Sequence, residues 1–302
     1  MFTRLLASYC VVVFMFMIAT VAQGANVSEF LDFTLRTPRG GAVLPGRLFV
    51  PPEAIADPVT KRPLILWLHG GGDAGTNNIN QVRWDVDLLF AEAKRRGAFL
   101  YAPQAPLNWR PKSVTDSVIT MLDRALTEYN VDPDRLYLTG YSSGGGGTWN
   151  MLSRYPDRFA AAMPVAPVSP EPDFNPANLV GQSISVFHAR NDTVAPVQTT
   201  RNVVNSIMTA AGHALPAYPS PTGGHFGFAA PELDFYYFEP FNGDHSFHFN
   251  VYSTPQVYDW MFSHRVAVPE PATAGLVAFT AIALFNLSRR RERSGLTTHA
   301  AA

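Results

Sequence analysis

Apolar runs alternate with amphipathic stretches along residues 60–262, and this alternation predicts strands separated by helices. Residues 63–68 and 98–102 are continuous apolar runs, which are typical of strands buried on both faces of a sheet. The predicted strands span residues 63–68, 98–102, 135–139, 160–165, 183–188 and 235–239. The predicted helices span residues 82–96, ending at the C-capping Gly97, 115–129 and 255–262. The order predicts the α/β class, with a mainly parallel central sheet flanked by helices.

Reactive side chains follow the predicted strands directly. His69, Ser142, Asp192 and His245 each lie at or just past the carboxyl end of a strand. Ligand sites in parallel α/β sheets lie beyond these ends. We therefore expect these residues to converge at one edge of the sheet.

Ser142 is the candidate nucleophile. It is the central residue of the sequence Gly140-Tyr141-Ser142-Ser143-Gly144, a G-x-S-x-G motif between a predicted strand and a helix-compatible stretch. In that setting the motif forms a tight turn that exposes the serine hydroxyl. The pattern alone is weak evidence, and the strand and helix around it give it weight.

A serine hydroxyl needs a base to take its proton, and the base needs an acid to orient it. Asp192 lies on the loop after strand 183–188, where such an acid is expected. Glu171 and Asp173 are the rival acids, but they lie in a proline-rich loop too early in the chain order.

Two histidines could be the base. His245 follows the aromatic strand and precedes the last predicted helix, whereas His225 follows a proline-rich loop. We favour His245 and keep His225 as the alternative. Asp244, His245 and His248 could also form a metal site, but a further helix-borne ligand is not evident in the sequence.

Anion stabilisation requires backbone N–H donors near the nucleophile. The N–H of Ser143 is one candidate for this oxyanion hole. The turn His69-Gly70-Gly71-Gly72 supplies a second donor, Gly71 or Gly72, because glycine lets the backbone approach a substrate closely.

Residues 1–24 have the features of a secretory signal peptide. Arg4 is followed by an apolar segment, residues 11–18, and by the small-residue cleavage site Ala22-Gln23-Gly24. An uncleaved membrane anchor is the alternative. The chain's one cysteine, Cys10, lies in this segment, so the mature protein would have neither disulfides nor cysteine-based chemistry.

The last segment, residues 268–302, contains Val268-Pro269-Glu270-Pro271, a short apolar stretch and the cluster Arg289-Arg290-Arg291. This order resembles the PEP-CTERM sorting signal of Gram-negative bacteria. The resemblance implies processing by an exosortase, transient anchoring in the inner membrane, and export to the periplasm, outer surface or extracellular matrix. A plain C-terminal membrane anchor is the alternative.

Residues 25–267 are expected to form one domain. The formal net charge is −1, and no basic run occurs before the tail, so nucleic acid is not an expected partner.

This domain resembles the α/β-hydrolase superfamily, specifically the secreted serine esterases that include feruloyl-esterase-like, polyhydroxybutyrate-depolymerase-like and predicted-peptidase-like proteins. The matching segments are residues 66–78, 101–104, 129–140, 154–161 and 258–260, with Ser142, His245 and Tyr252. The resemblance implies cleavage of small or polymeric carboxylic esters by Ser142, His245 and Asp192 without a cofactor. Two departures are Ser143, where the group often has methionine, and an apparent insertion at residues 216–233.

Two other functions stay open. A peptidase would use the same three side chains, and a surface-displayed protein could keep the fold without catalysis.

A set of aromatic residues could line an apolar pocket or simply pack in the core: Trp109, Phe226, Phe228, Phe247 and Phe249.

Overall fold

The computed structural model describes residues 27–220 and 222–266. The predicted signal peptide, residues 1–24, and the predicted sorting tail, residues 268–302, lie outside the described residues. None of the helices in the described ranges is long and apolar enough to cross a membrane.

A nine-stranded sheet forms the centre of the described domain. The strands are β1 Leu31–Asp32, β2 Leu35–Arg36, β3 Ala42–Leu44, β4 Gly46–Phe49, β5 Arg62–Leu68, β6 Phe99–Pro103, β7 Val131–Tyr141, β8 Ala161–Val165, β9 Ile184–Phe187, β10 Phe226–Ala230 and β11 Phe235–Glu239. The strand order in the central sheet is β1-β4-β6-β5-β7-β8-β9-β11-β10. The run from β6 to β11 is parallel throughout, and antiparallel pairs occur at the two edges and in a separate β2-β3 ribbon. The prediction of a mainly parallel sheet is confirmed.

The helices are α1 Pro52–Ala56, α2 Asp87–Arg96, α3 Lys112–Glu128, α4 Ser143–Arg154, α5 Val197–Ala210, α6 His248–Tyr252 and α7 Pro255–Phe262. The predicted start of α2 at Val82 is wrong, because a 3₁₀ turn at Asn80–Val82 precedes the helix. Val82 and Val86 are both fully buried, so the apolar spacing is met without a continuous helix. Gly97 caps α2 in the left-handed conformation, as predicted.

Strand β5 is buried on both faces, which explains its unbroken apolar sequence. Leu64, Leu66 and Leu68 pack into a core that also contains residues of α3, α4 and α5. Ile65 and Trp67 pack into a second core on the opposite face, with residues of α2, α6 and α7. The sheet is therefore the middle layer of three, and its carboxyl edge is where loops can carry a site.

The start of α4 packs unusually tightly against β5. A Cβ atom on Gly144 would lie 1.8 Å from the Leu68 carbonyl oxygen, and one on Gly140 would lie 2.3 Å from the Gly144 carbonyl oxygen. Four successive glycines, residues 144–147, cost a helix about 1 kcal/mol each relative to alanine. The sequence tolerates this cost because only glycine permits the close approach.

We expect Gly144→Ala to destabilise the fold by at least about 3 kcal/mol, because its methyl group would overlap the Leu68 carbonyl. Gly227→Ala is the matched control, since a Cβ there meets nothing within 4 Å, and its effect should stay within about 0.5 kcal/mol. Chemical denaturation measures both. Equal stability of the two variants would contradict the packing argument.

Candidate active site

Ser142 stands at a sharp turn between β7 and α4. Its backbone has φ 55° and ψ −114°, a strained conformation for a residue other than glycine. The turn is held by the Ser142 N–H, which donates to the Val165 carbonyl at 3.0 Å, and by the Ser142 carbonyl, which accepts from Gly146 and Val168. This geometry fits the expected nucleophile turn.

Three predicted side chains meet at this turn. The Nε2 atom of His245 lies 2.8 Å from the Ser142 hydroxyl oxygen, and its Nδ1 atom lies 2.6 Å from Oδ2 of Asp192. His245 begins a 3₁₀ turn that Asp244 caps by accepting the Ser246 N–H. The structure therefore joins hydroxyl, imidazole and carboxylate in the hydrogen-bonding order that nucleophilic catalysis requires.

Asp192 is held rigidly as an ionised group. Its Oδ1 accepts the N–H groups of Val194 at 2.9 Å and Ala195 at 2.8 Å. Burial raises the pKa of Asp192, but hydrogen bonds from His188, His245 and the two amides outweigh burial and bring that pKa well below its usual range. Asp192 therefore stays a carboxylate at neutral pH.

His188 is a contact that the sequence interpretation missed. Its Nε2 lies 3.3 Å from Oδ2 of Asp192, and its Nδ1 lies 2.6 Å from the hydroxyl oxygen of Thr200. The signal was its position immediately after β9 and four residues before Asp192.

A stack of rings supports the His245 turn. The Tyr141 ring lies 5.0 Å from His245 and 3.7 Å from His248, and the His248 ring lies 4.0 Å from Phe249. His248 is buried, and its Nε2 lies 3.4 Å from Asp85. Burial, with smaller contributions from Asp85, Asp192 and Asp244, raises the pKa of Tyr141.

The rival residues have other partners. His225 accepts the Phe241 N–H through Nδ1 and stacks on Phe238. Asp173 pairs with Arg154, and Glu171 pairs with Arg110. Of the two candidate bases, His245 is therefore the one that is hydrogen-bonded to both Ser142 and Asp192.

The Gly70–Asp73 loop lies beside the nucleophile turn. A Cβ on Gly71 would lie 3.9 Å from the Cβ of Ser143, whereas one on Gly72 meets nothing within 4 Å. Both Gly71 and Gly72 are exposed, and Ser143 is the first residue of α4. Gly71 and the start of α4 therefore border the same space.

His69 anchors this loop and takes no part in proton transfer with Ser142. Its Nδ1–H donates to the Gly70 carbonyl at 2.7 Å, and its Nε2 accepts the Ala105 N–H at 3.0 Å. Trp109 donates to the His69 carbonyl. Burial lowers the pKa of His69 to about 4, so the ring is neutral at ordinary pH.

A cavity of about 270 Å³ opens next to the nucleophile turn, lined by Asn108, Trp109, Arg110, Ser143, Gly146, Gly147, Asn150, Val168 and Ser169. Among the predicted pocket aromatics, Trp109 lines it. Phe247, Phe226 and Phe228 pack against the two cores, and Phe249 is half exposed.

Among residues 27–220 and 222–266, no cluster of three or more histidine, cysteine or acidic residues could hold a metal ion. Asp244 and His248 instead make the capping and stacking contacts described above.

Comparisons with known proteins point to one fold. Residues 101–170 match the model of the prolyl oligopeptidase family. A solved thermostable esterase is 27% identical, with a TM-score of 0.63, over 79% of this chain and 64% of that one. An acetyl xylan esterase from Aspergillus awamori is 13% identical, with a TM-score of 0.54, over 72% of this chain and 94% of that one. The protein has the α/β-hydrolase fold.

Among curated proteins, the chain is 27% identical over 143 residues to a bifunctional acetylxylan esterase/xylanase of Neocallimastix patriciarum, covering 45% of this chain and 20% of that protein. It is 31% identical over 116 residues to the poly(3-hydroxyalkanoate) depolymerase C of Paucimonas lemoignei, covering 29% of this chain and 28% of that protein. The chain thus spans less than a third of the length of either relative.

Asp73 provides a test of the electrostatics beside the loop. Burial, helped by the charge of Asp85, raises the pKa of Asp73 from 3.8 to about 6. Ionisation of Asp73 therefore destabilises the folded state. This destabilisation is fully present above about pH 6 and absent below about pH 4. We expect Asp73→Asn to stabilise the protein by about 1–2 kcal/mol near neutral pH, after allowance for solvent screening.

The gain in stability of Asp73→Asn should disappear near pH 4. Denaturation curves at neutral pH and at pH 4 measure this difference. Asp57→Asn is the control of opposite sign. Hydrogen bonds from Thr60 and Val59 lower the pKa of exposed Asp57, so that variant should gain nothing at neutral pH. A pH-independent effect of Asp73→Asn would contradict the assignment.

Proposed function

We propose that this protein is a secreted serine hydrolase that cleaves carboxylic esters through an acyl-enzyme intermediate. The hydrogen-bonded line from Ser142 through His245 to Asp192 carries the proposal. The line lies at the carboxyl edge of the sheet, and its residues require no cofactor. Ser143, the residue after Ser142, lines the neighbouring cavity.

In the proposed reaction, Ser142 Oγ attacks the ester carbonyl carbon while its proton passes to Nε2 of His245. Asp192 accepts the Nδ1–H of His245 and stabilises the imidazolium that forms. The tetrahedral intermediate collapses, and the alcohol leaves with the proton from His245. Water then repeats the sequence on the acyl-enzyme, which releases the acid and restores the serine hydroxyl.

The developing negative charge on the carbonyl oxygen needs donors that are already in place. We assign this role to the backbone N–H of Ser143, at the positive end of α4, and to that of Gly71. Gly71 is the better of the two loop candidates because it lies next to Ser143, whereas Gly72 faces open space.

The similarity to an acetylxylan esterase and to a polyhydroxyalkanoate depolymerase supports an ester as the scissile group. The match of residues 101–170 to the prolyl oligopeptidase family keeps peptidase activity as the second candidate. The same three side chains would serve either bond. The intact hydrogen-bonded line weighs against a surface protein without catalysis.

We expect Ser142→Ala to lower hydrolysis of p-nitrophenyl acetate by at least about 10⁴-fold and to abolish labelling by a fluorophosphonate probe. Ser117→Ala on the exposed side of α3 is the matched control and should keep both properties. Wild-type rates in the Ser142→Ala variant would refute the assignment.

The choice of base is tested in the same assay. His245→Ala should lose activity to a comparable extent, since no other base contacts Ser142 among the described residues. His225→Ala should retain it, because His225 bonds to Phe241. The reverse result would make His225 the base.

Export is the part of the proposal that depends on sequence alone. Residues 1–24 support cleavage by a signal peptidase, and residues 268–302 support recognition by an exosortase. We expect mass spectrometry of protein secreted from an exosortase-containing host to find both ends removed. In a host without exosortase, the C-terminal tail should remain. Retention of residues 1–24 in both hosts would instead support an uncleaved anchor.

A further inference from the structure

One oxygen of Asp192 is shared by two histidines. Oδ2 lies 2.6 Å from Nδ1 of His245 on one side and 3.3 Å from Nε2 of His188 on the other. The side chains of His188 and Asp192 have no exposed surface, so water cannot substitute for either contact. The proton transfer between Ser142 and His245 does not itself involve His188.

The surroundings of His188 define where its proton lies. Its Nε2 is 2.8 Å from the Ala195 carbonyl and 3.3 Å from the Asp192 carboxylate, and both of these groups can only accept. Nε2 therefore carries the proton. Nδ1 is hydrogen-bonded to the Thr200 hydroxyl, whose oxygen is 2.6 Å away and fully buried. Together these contacts fix the orientation of the ring, with its Nε2–H facing the Asp192 carboxylate and the Ala195 carbonyl.

The buried carboxylate of Asp192 is stabilised in part by its contact with His188. Burying an ion is costly unless it is hydrogen-bonded. Asp192 has two amide donors on Oδ1, the imidazole of His245 on Oδ2 at 2.6 Å, and Nε2 of His188 at 3.3 Å from the same oxygen. His188 and His245 both lower the pKa of Asp192 against burial, and His245 makes the shorter contact, 2.6 Å against 3.3 Å. His188 thus contributes to the stabilisation of the charge from the side opposite His245.

We propose that His188 is a positioning residue for this site. Its Nε2–H bonds to the Ala195 carbonyl at 2.8 Å and is shared with Oδ2 of Asp192 at 3.3 Å, so it helps to hold that oxygen in the orientation that receives His245. Thr200 fixes the orientation of the His188 ring. The line of polar contacts then extends over five side chains: Thr200, His188, Asp192, His245 and Ser142. The proposal rests on the catalytic roles assigned under the proposed function.

Removing the His188 donor should shift the acid limb of the kcat/KM profile in one direction, toward higher pH. The carboxylate would then direct more of its charge toward His245, and the protonated form of that base would persist to higher pH. The acid limb of the kcat/KM profile should therefore move upward by roughly half a unit to one unit. Other groups around the line are Asp85, Asp244 and Tyr141, and they are unchanged in the variants below.

The test compares His188→Met with His188→Gln. Methionine and glutamine have similar length, but only the glutamine amide can donate from near the position of Nε2. We expect His188→Met to lose about tenfold to a hundredfold in kcat on p-nitrophenyl acetate, with KM unchanged and the acid limb shifted. His188→Gln should recover most of kcat and the wild-type profile.

Thr200 provides an independent pair that avoids changing the buried ring. Thr200→Val removes the hydroxyl at nearly constant volume, and Thr200→Ser keeps it. We expect Thr200→Val to shift the acid limb in the same direction by less, and Thr200→Ser to match wild type. His213→Gln, at a partly exposed histidine paired with Glu232, controls for loss of a histidine elsewhere. Circular dichroism establishes the folded fraction of each variant.

The outcomes distinguish failure of the positioning role of His188 from failure of the proposed hydrolase function. If wild type hydrolyses the ester, and if His188→Met and His188→Gln lose equal activity with unchanged pH profiles, His188 is only structural and the positioning role is overturned. If His188→Met does not fold, a Thr200→Val profile identical to wild type overturns the positioning role in its place. If wild type itself neither hydrolyses the ester nor reacts with a fluorophosphonate, the proposed function fails first.

Discussion

The contact between the first turn of α4 and the end of β5 is the constraint on which the site depends. Gly144 lies so close to the Leu68 carbonyl that no side chain fits between them. This approach brings the Ser142 turn beside the loop that begins at His69, so Ser142 and the candidate oxyanion donors share one space. The strained backbone of Ser142 is maintained by that packing and by the hydrogen bond to Val165.

Much of the fold and site could be predicted because both follow from local signals. Continuous apolar runs marked the doubly buried strands, and a parallel sheet brings residues at strand ends together whatever their separation in sequence. Ser142 and His245 are 103 residues apart, yet their atoms meet at 2.8 Å. The G-x-S-x-G motif and the chain order Ser, Asp, His then identified which strand-end residues belonged together.

The parts that could not be predicted depend on long-range contacts. Strand β10 lies in the stretch interpreted as an insertion, and its pairing with β11 reflects a sheet edge that its own short sequence does not specify. The predicted start of α2 is too early because buried Val82 keeps the apolar spacing outside the helix. His188 was missed because its role requires knowing which way the Asp192 carboxylate faces, and that is fixed only in three dimensions.

Four histidines near the site show that partners, not residue type, determine the chemistry. His69 is buried between a backbone acceptor and a backbone donor, which keeps it neutral and makes it an anchor. His248 is stacked on Tyr141 and packs the neighbouring turn. His188 touches the carboxylate but has no path to Ser142, because its second nitrogen is occupied by a hydroxyl. Of these four, only His245 has a carboxylate on one nitrogen and a hydroxyl at the exposed turn on the other, and that arrangement alone allows a proton to leave the serine and return to a departing group.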